Sequence, residues 1–126
     1  MNNLRFLSSK PNPLVEKSYL FSIKMVKTVQ GIQTNQKEFI LSKQLLRSGT
    51  AVGALIFEGQ YAQSPADFIN KLSISLKEAN ETKYWIILLN DTEYINNTLF
   101  TILLPEIEEI IKMLTSSIKT SKQNLK

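Results

Sequence analysis

Glu78 and Glu81 stand three positions apart and are the best candidates for a chemical centre in this 126-residue chain. On a helix, residues at that spacing are neighbours. A Glu-x-x-Glu pair could therefore hold a divalent cation through oxygen ligands. The rest of the composition narrows the options. The chain has no histidine and no cysteine. Ser-His and Cys-His nucleophiles are therefore excluded, as is zinc held by imidazole or thiolate. The Glu-x-x-His pairs of di-iron bundles are missing too. A structural use fits better. Glu78 and Glu81 share a helical face with Ile74, Trp85 and Leu88, and Arg47 shares one with Ala51 and Ala54. A lone charge buried on an apolar stripe costs roughly several kcal/mol, so it needs a partner. Arg47 is expected to pair with Glu78 or Glu81, fixing helix register or a subunit contact. No catalytic residue, cofactor or metal site is assigned, and a non-enzymatic protein is expected.

Lys43, Lys71 and Lys77 are compatible with phosphate contact, although lysines on helices commonly form a solvated face. Tyr61, Phe68, Tyr84 and Trp85 could stack on bases. They could equally fill the core or a subunit interface, which is the preferred expectation for at least some of them. The net charge is +4, from 15 Lys+Arg against 11 Asp+Glu. That mild excess permits a nucleic-acid or acidic partner without requiring one. It is unevenly spread. Arg5, Lys10, Lys17, Lys24, Lys27 and Lys37 are opposed only by Glu16, and Lys119, Lys122 and Lys126 follow Lys112 with no acid among them.

The elements that must position these groups are helical. Residues 1–12 look like an irregular arm, ending in a helix entry where Asn12 caps and Pro13 opens the first turn. Helix 1 is expected to run to about Ile32, with Tyr19, Ile23, Val26 and Val29 near one stripe and Leu14, Phe21 and Met25 widening it. Gly31 and the polar residues 33–36 should end it. Helix 2 begins between Gln36 and Ser42 and ends near Gly59, with Leu41, Leu45, Ser48, Val52 and Leu55 on one face. Gly49 and Gly53 each cost about 1 kcal/mol of helix propensity. They serve either close approach of another backbone or a bend. Helix 3 starts at Pro65 behind a Ser64 cap and should reach about Leu89, with one stripe of Phe68, Leu72, Leu76 and Ala79. Helix 4 is expected from about Ile95 to Lys119, with Leu99, Leu103, Ile107, Ile110, Leu114 and Ile118 in register. Pro105 falls inside it, which requires either a kink near Thr101 or a later start. Residues 121–126 read as a polar tail, disordered from about Thr120.

Short connections favour antiparallel neighbours, so residues 13–120 are expected to form an all-α, antiparallel up-and-down four-helix bundle. No stretch approaches the ~20 apolar residues of a membrane span. No apolar segment follows Arg5 before Pro11, so no secretory signal is read there. The expected location is the cytoplasm. Helices 1 and 3 carry apolar residues on more than one stripe, which points to a partner surface.

Two stretches carry a family resemblance. Residues 41–54, LSKQLLRSGTAVGA, are similar to the LSKQLLRSGTSIGAN signature of the four-helix bundle proteins of bacterial ribosomal RNA intervening sequences. Residues 67–85, DFINKLSISLKEANETKYW, resemble that family's third-helix signature, and residues 114–120 its closing segment. The likeness covers nearly all of the chain from Asn12 onward. Ala51 and Leu55 depart from the commoner Ser and Asn, and Phe57-Glu58-Gly59 replaces a more polar stretch. The resemblance implies a left-handed bundle that assembles as a homopentamer. It also implies kinship with the basic pentameric accessory proteins of diversity-generating retroelements, and so a reverse transcriptase, RNA or DNA as partner. In a ring of identical subunits, the surplus apolar faces would meet heterologously. The leading expectation is a homo-oligomeric scaffold with RNA or a nucleic-acid enzyme as client. A purely structural assembly comes next, and a carboxylate- or metal-dependent enzyme last.

Overall fold

The first helix begins where the chain supplies a cap: the Asn12 side chain accepts a hydrogen bond from the Val15 N–H at 3.2 Å, and Pro13 sits in the first turn. The computed structural model describes residues 12–125, so all but the last residue of the expected N-terminal arm lies outside the described residues, as does Lys126. Four helices follow one another: α1 (Pro13–Gln36), α2 (Leu41–Gly59), α3 (Pro65–Asp91) and α4 (Asn97–Asn124). No strand occurs among the described residues. Each helix packs on its neighbour in sequence, and a sparser α1–α4 contact closes the antiparallel up-and-down bundle.

In α1 the core stripe is Leu14, Ser18, Phe21, Met25, Val29 and Ile32. Of the stripe expected first, Val29 is buried, whereas Tyr19, Ile23 and Val26 lie on the flank, with Val26 40% exposed. The helix also outruns its expected end at Ile32. Gly31 stays helical, and Lys37 in the left-handed conformation (φ 56°) stops the chain one residue after Gln36. The last turn is tied down from outside. Gln36 Nε2 donates to the Tyr94 carbonyl at 2.9 Å, and Gln33 Nε2 to Ser42 Oγ at 3.3 Å.

Helix α2 has no side-chain cap at Ile40. The Glu38 carboxylate does the capping, accepting from the N–H groups of Ile40, Leu41 and Ser42 at 3.1, 3.1 and 2.8 Å. Its core face is Ser42, Leu45, Ser48, Gly49, Val52, Ile56 and Gly59. Gly49 and Gly53 serve close approach. A Cβ at Gly49 would stand 2.6 Å from the Met25 side chain, and one at Gly53 would stand 3.1 Å from the Ser18 carbonyl oxygen.

The Ser64 hydroxyl caps α3, accepting from the Asp67 N–H at 3.0 Å. Its buried residues are Leu72, Ser75, Ala79, Thr82, Ile86 and Leu89, an alternating three- and four-residue spacing that gives a continuous seam. It continues to Asp91, a half-turn past the expected end.

Asn96 caps α4 through its side chain, which accepts from the Leu99 N–H at 2.8 Å. The helix starts two residues later than expected, with Ile95 buried in the preceding turn, and then runs unbroken through Pro105. Pro105 leaves the Thr101 carbonyl without its helical donor. Both residues are solvent-exposed, so water can take that place. The expected polar tail is corrected as well: α4 continues to Asn124. Extending an existing helix fixes one residue per bond, and Lys122 complements the negative end of the dipole.

Candidate functional site

The face shared by α2 and α3 is organised around hydroxyls. Ser75 Oγ donates to the Val52 carbonyl at 2.8 Å, and Thr82 Oγ1 to Ser48 Oγ at 3.0 Å, all within the buried seam. These bonds set the register of the two helices, and the register brings Arg47 opposite the acidic turn of α3. Arg47 Nη1 donates to Glu78 Oε1 at 3.1 Å, Nη2 to Glu81 Oε2, and Nε to Gln44 Oε1 at 3.2 Å. The Trp85 indole N–H donates to the same Glu81 Oε2 at 3.0 Å. Tyr84 meets the Trp85 ring edge-on, with centroids 5.1 Å apart.

Arg47 therefore bridges both glutamates rather than choosing one. Its side chain is 48% exposed, against 15% for Glu78 and 33% for Glu81. The carboxylates converge on a guanidinium fork, whose planar donors suit two acceptors at once. Their negative charge is spent on a cation the chain supplies. Among the described residues, no group of three or more His, Cys, Asp or Glu side chains is arranged to hold a metal ion.

The remaining candidates are dispersed. Lys43 lies exposed near the start of α2, Lys71 is half-buried and Lys77 exposed on α3, and none of the three forms an ion pair among the described residues. The antiparallel register places Lys43 toward the far end of the face from Lys71. Tyr61 projects from the α2–α3 turn and meets Phe57 edge-on at 5.5 Å, while Phe68 is half-buried against the core. Three further ion pairs link α4 to its neighbours: Lys17–Glu109 at 3.1 Å, Lys24–Glu106, and Lys83–Glu108 at 3.1 Å.

Two features escaped the sequence reading. One is an apolar groove of about 290 Å³ between α1 and α2, lined by Val15, Tyr19, Ser22, Gly53, Ala54 and Phe57. A neighbouring concavity on α1 runs on past Ile23 and Val26. Its signal lay in α1's apolar residues on more than one stripe, Tyr19, Ile23 and Val26 among them, which point to a partner surface without locating a groove. The other is Glu38. Burial alone would raise its carboxyl pKa, but hydrogen bonds from Ser42, Leu41 and Ile40 together outweigh burial and lower it. An acid just ahead of a helix start was the available signal.

Four helices in sequence order, with seams closed by serine and threonine hydroxyls and flanks tied by charge pairs, define an all-α helical bundle. The family model described as 23S rRNA-intervening sequence protein matches residues 11–116, and the chain belongs to that family. A crystal structure at 1.70 Å of a protein of unknown function from the S23 ribosomal protein family of Bacteroides thetaiotaomicron is similar to it. The two share 50% identity and a TM-score of 0.82, over 84% of this chain and 98% of the other. A search of curated proteins gave no match. No helix among the described residues is long and apolar enough to cross a membrane.

Proposed function

We propose that this protein is a non-enzymatic, self-associating scaffold of the cytoplasm, forming a homopentamer whose client is RNA or a nucleic-acid enzyme such as a reverse transcriptase. The observation that carries the self-association is the apolar band along α1 and the α1–α2 groove. Val26 is 40% exposed there, and the bundle's own core leaves the band uncovered. Contiguous exposed apolar surface on a small domain marks a partner site. The client class is supported by the family, whose description ties it to intervening sequences of 23S rRNA. The non-enzymatic part is supported by Arg47, which engages the paired carboxylates.

Light scattering tests the assembly. A mass near five times the 14.4 kDa chain is expected, and Val26→Glu should lower it while leaving helical content unchanged. A stable monomer at working concentration would overturn the proposal. An oligomer that binds no nucleic acid would favour the second reading, a purely structural assembly.

A further inference from the structure

Helix α4 separates its charges along its length. Its acids, Glu106, Glu108 and Glu109, all lie in the middle turns, and each is paired with a lysine of α1 or α3. Its lysines, Lys112, Lys119 and Lys122, all follow, all are exposed, and none forms an ion pair among the described residues. At 100° per residue, Lys112, Thr115, Lys119, Lys122 and Gln123 fall within a sector of roughly 100° on the side away from Ile107, Ile110 and Leu114. Thr115, Lys119, Lys122 and Gln123, with Ile118 as floor, line an open concavity of about 360 Å³. The Lys83–Glu108 pair fixes the register with α3, bringing exposed Ser73 and Lys77 level with this half of α4.

We infer that the C-terminal half of α4 is a phosphate-contacting face for a nucleic-acid strand, with Lys112, Lys119 and Lys122 as its cations. It rests on the nucleic-acid client proposed above and assigns that client a site. Ammonium groups beside hydroxyls and carboxamides are the groups that contact phosphate and sugar. Lys112 and Lys122 stand ~15 Å apart along the helix axis, so the lysines can meet more than one phosphate of a strand. An acidic protein would want an apolar centre to its contact, and a membrane surface would want exposed Trp, Phe or Leu beside the lysines. Within this sector Lys112, Thr115, Lys119, Lys122 and Gln123 present polar ends, while Ile118, 8% exposed on the floor, and the exposed Leu125 after Lys122 both lie outside it. Lysines near a helix C-terminus also favour the helix dipole, but that effect fades within the last turn and does not account for Lys112 and Lys119.

The test is fluorescence anisotropy of a labelled single-stranded RNA against the full chain, at low and moderate salt. Three proteins are compared: wild type, the triple variant Lys112→Gln/Lys119→Gln/Lys122→Gln, and the double variant Lys43→Gln/Lys71→Gln. Each is first checked for unchanged helicity and mass. The expected result is salt-sensitive binding by wild type and the double variant. The triple variant should bind on the order of 100-fold more weakly at low salt, with a salt slope smaller by about 2. Equal binding by wild type and the triple variant would overturn the assignment to α4 while leaving the nucleic-acid client standing. No RNA binding by wild type, or binding only to anionic vesicles run in parallel, would overturn both.

Discussion

Arg47 and Glu38 each hold a helix in place, but by different means. Arg47 ties α2 to α3 through two carboxylates, and Glu78, the less exposed, depends on it more. Arg47→Ala should lower stability by about 1 kcal/mol, the usual range for half-exposed pairs, read as a lower urea midpoint at unchanged slope. Arg47→Lys should recover only part of the loss, because an ammonium cannot reproduce the guanidinium fork. Glu38 acts through its own ionisation. Its carboxyl is held below its ordinary 4.5 in the folded protein. Its contribution is therefore fully present above the unfolded value and fades as pH falls through the lower, folded one. Glu38→Gln should melt earlier than wild type at pH 7, and the gap should close as melts are repeated toward pH 3. The Arg47 pairing was legible in the sequence because a charge on an apolar stripe demands a partner. The Glu38 cap was harder to place: an acid ahead of a helix is a signal, but the residues around it leave the start of α2 open between Gln36 and Ser42.

At the scale of the elements, the contact between α1 and α2 depends on small residues. A methyl at Gly53 would meet Ser22 Oγ at 2.9 Å and the Ser18 carbonyl oxygen at 3.1 Å, whereas one at Gly31 would meet nothing within 4 Å. Gly31→Ala should therefore stabilise by up to about 1 kcal/mol through helix propensity alone. Gly53→Ala should destabilise by about 1–2 kcal/mol, because backbone overpacking outweighs the same gain. Paired thermal melts of the two variants check the contrast in sign. The same contact decides which of α1's apolar residues enter the core. Periodicity finds apolar residues but not the size of what faces them. Met25 enters the core because Gly49 leaves room for it, and Tyr19, Ile23 and Val26, equally apolar, are left outside. Helices α2 and α4 read more faithfully, since each offers one dominant apolar stripe. The end of α1 was less readable because Gln36 is held by a residue distant in sequence, the Tyr94 carbonyl.

Over the whole molecule, the architecture follows from four capped apolar stripes and short turns, so the up-and-down bundle could be read before any coordinates. Subunit number could not, because nothing in one chain's periodicity counts copies. It enters through family likeness and is settled by mass. The charge pattern on α4 shows the same limit. The basic run after Lys112 was plain in the sequence, but not that Glu106, Glu108 and Glu109 would all turn to lysines of α1 and α3 and leave Lys112, Lys119 and Lys122 without an ion pair among the described residues. The proposed RNA face and the α1–α2 groove involve different helix pairs. Val26→Glu should therefore change mass without abolishing RNA contact by the released subunit, and the triple lysine variant should lose RNA at unchanged mass. A titration of both variants against the same RNA tests that separation.

The sparse contact between α1 and α4 has a consequence in time. Helices α2 and α3 are each gripped along both flanks, whereas α1 and α4 are gripped firmly on one flank and lightly on the other, where the ties are Lys17–Glu109 and Lys24–Glu106. Breathing of the bundle should begin there. In native-state hydrogen exchange, amides of α1 and α4 should take up deuterium through partial openings, and those around Leu45, Val52, Ala79 and Ile86 only on global unfolding. The inner hairpin would then be the last part of the molecule to let go.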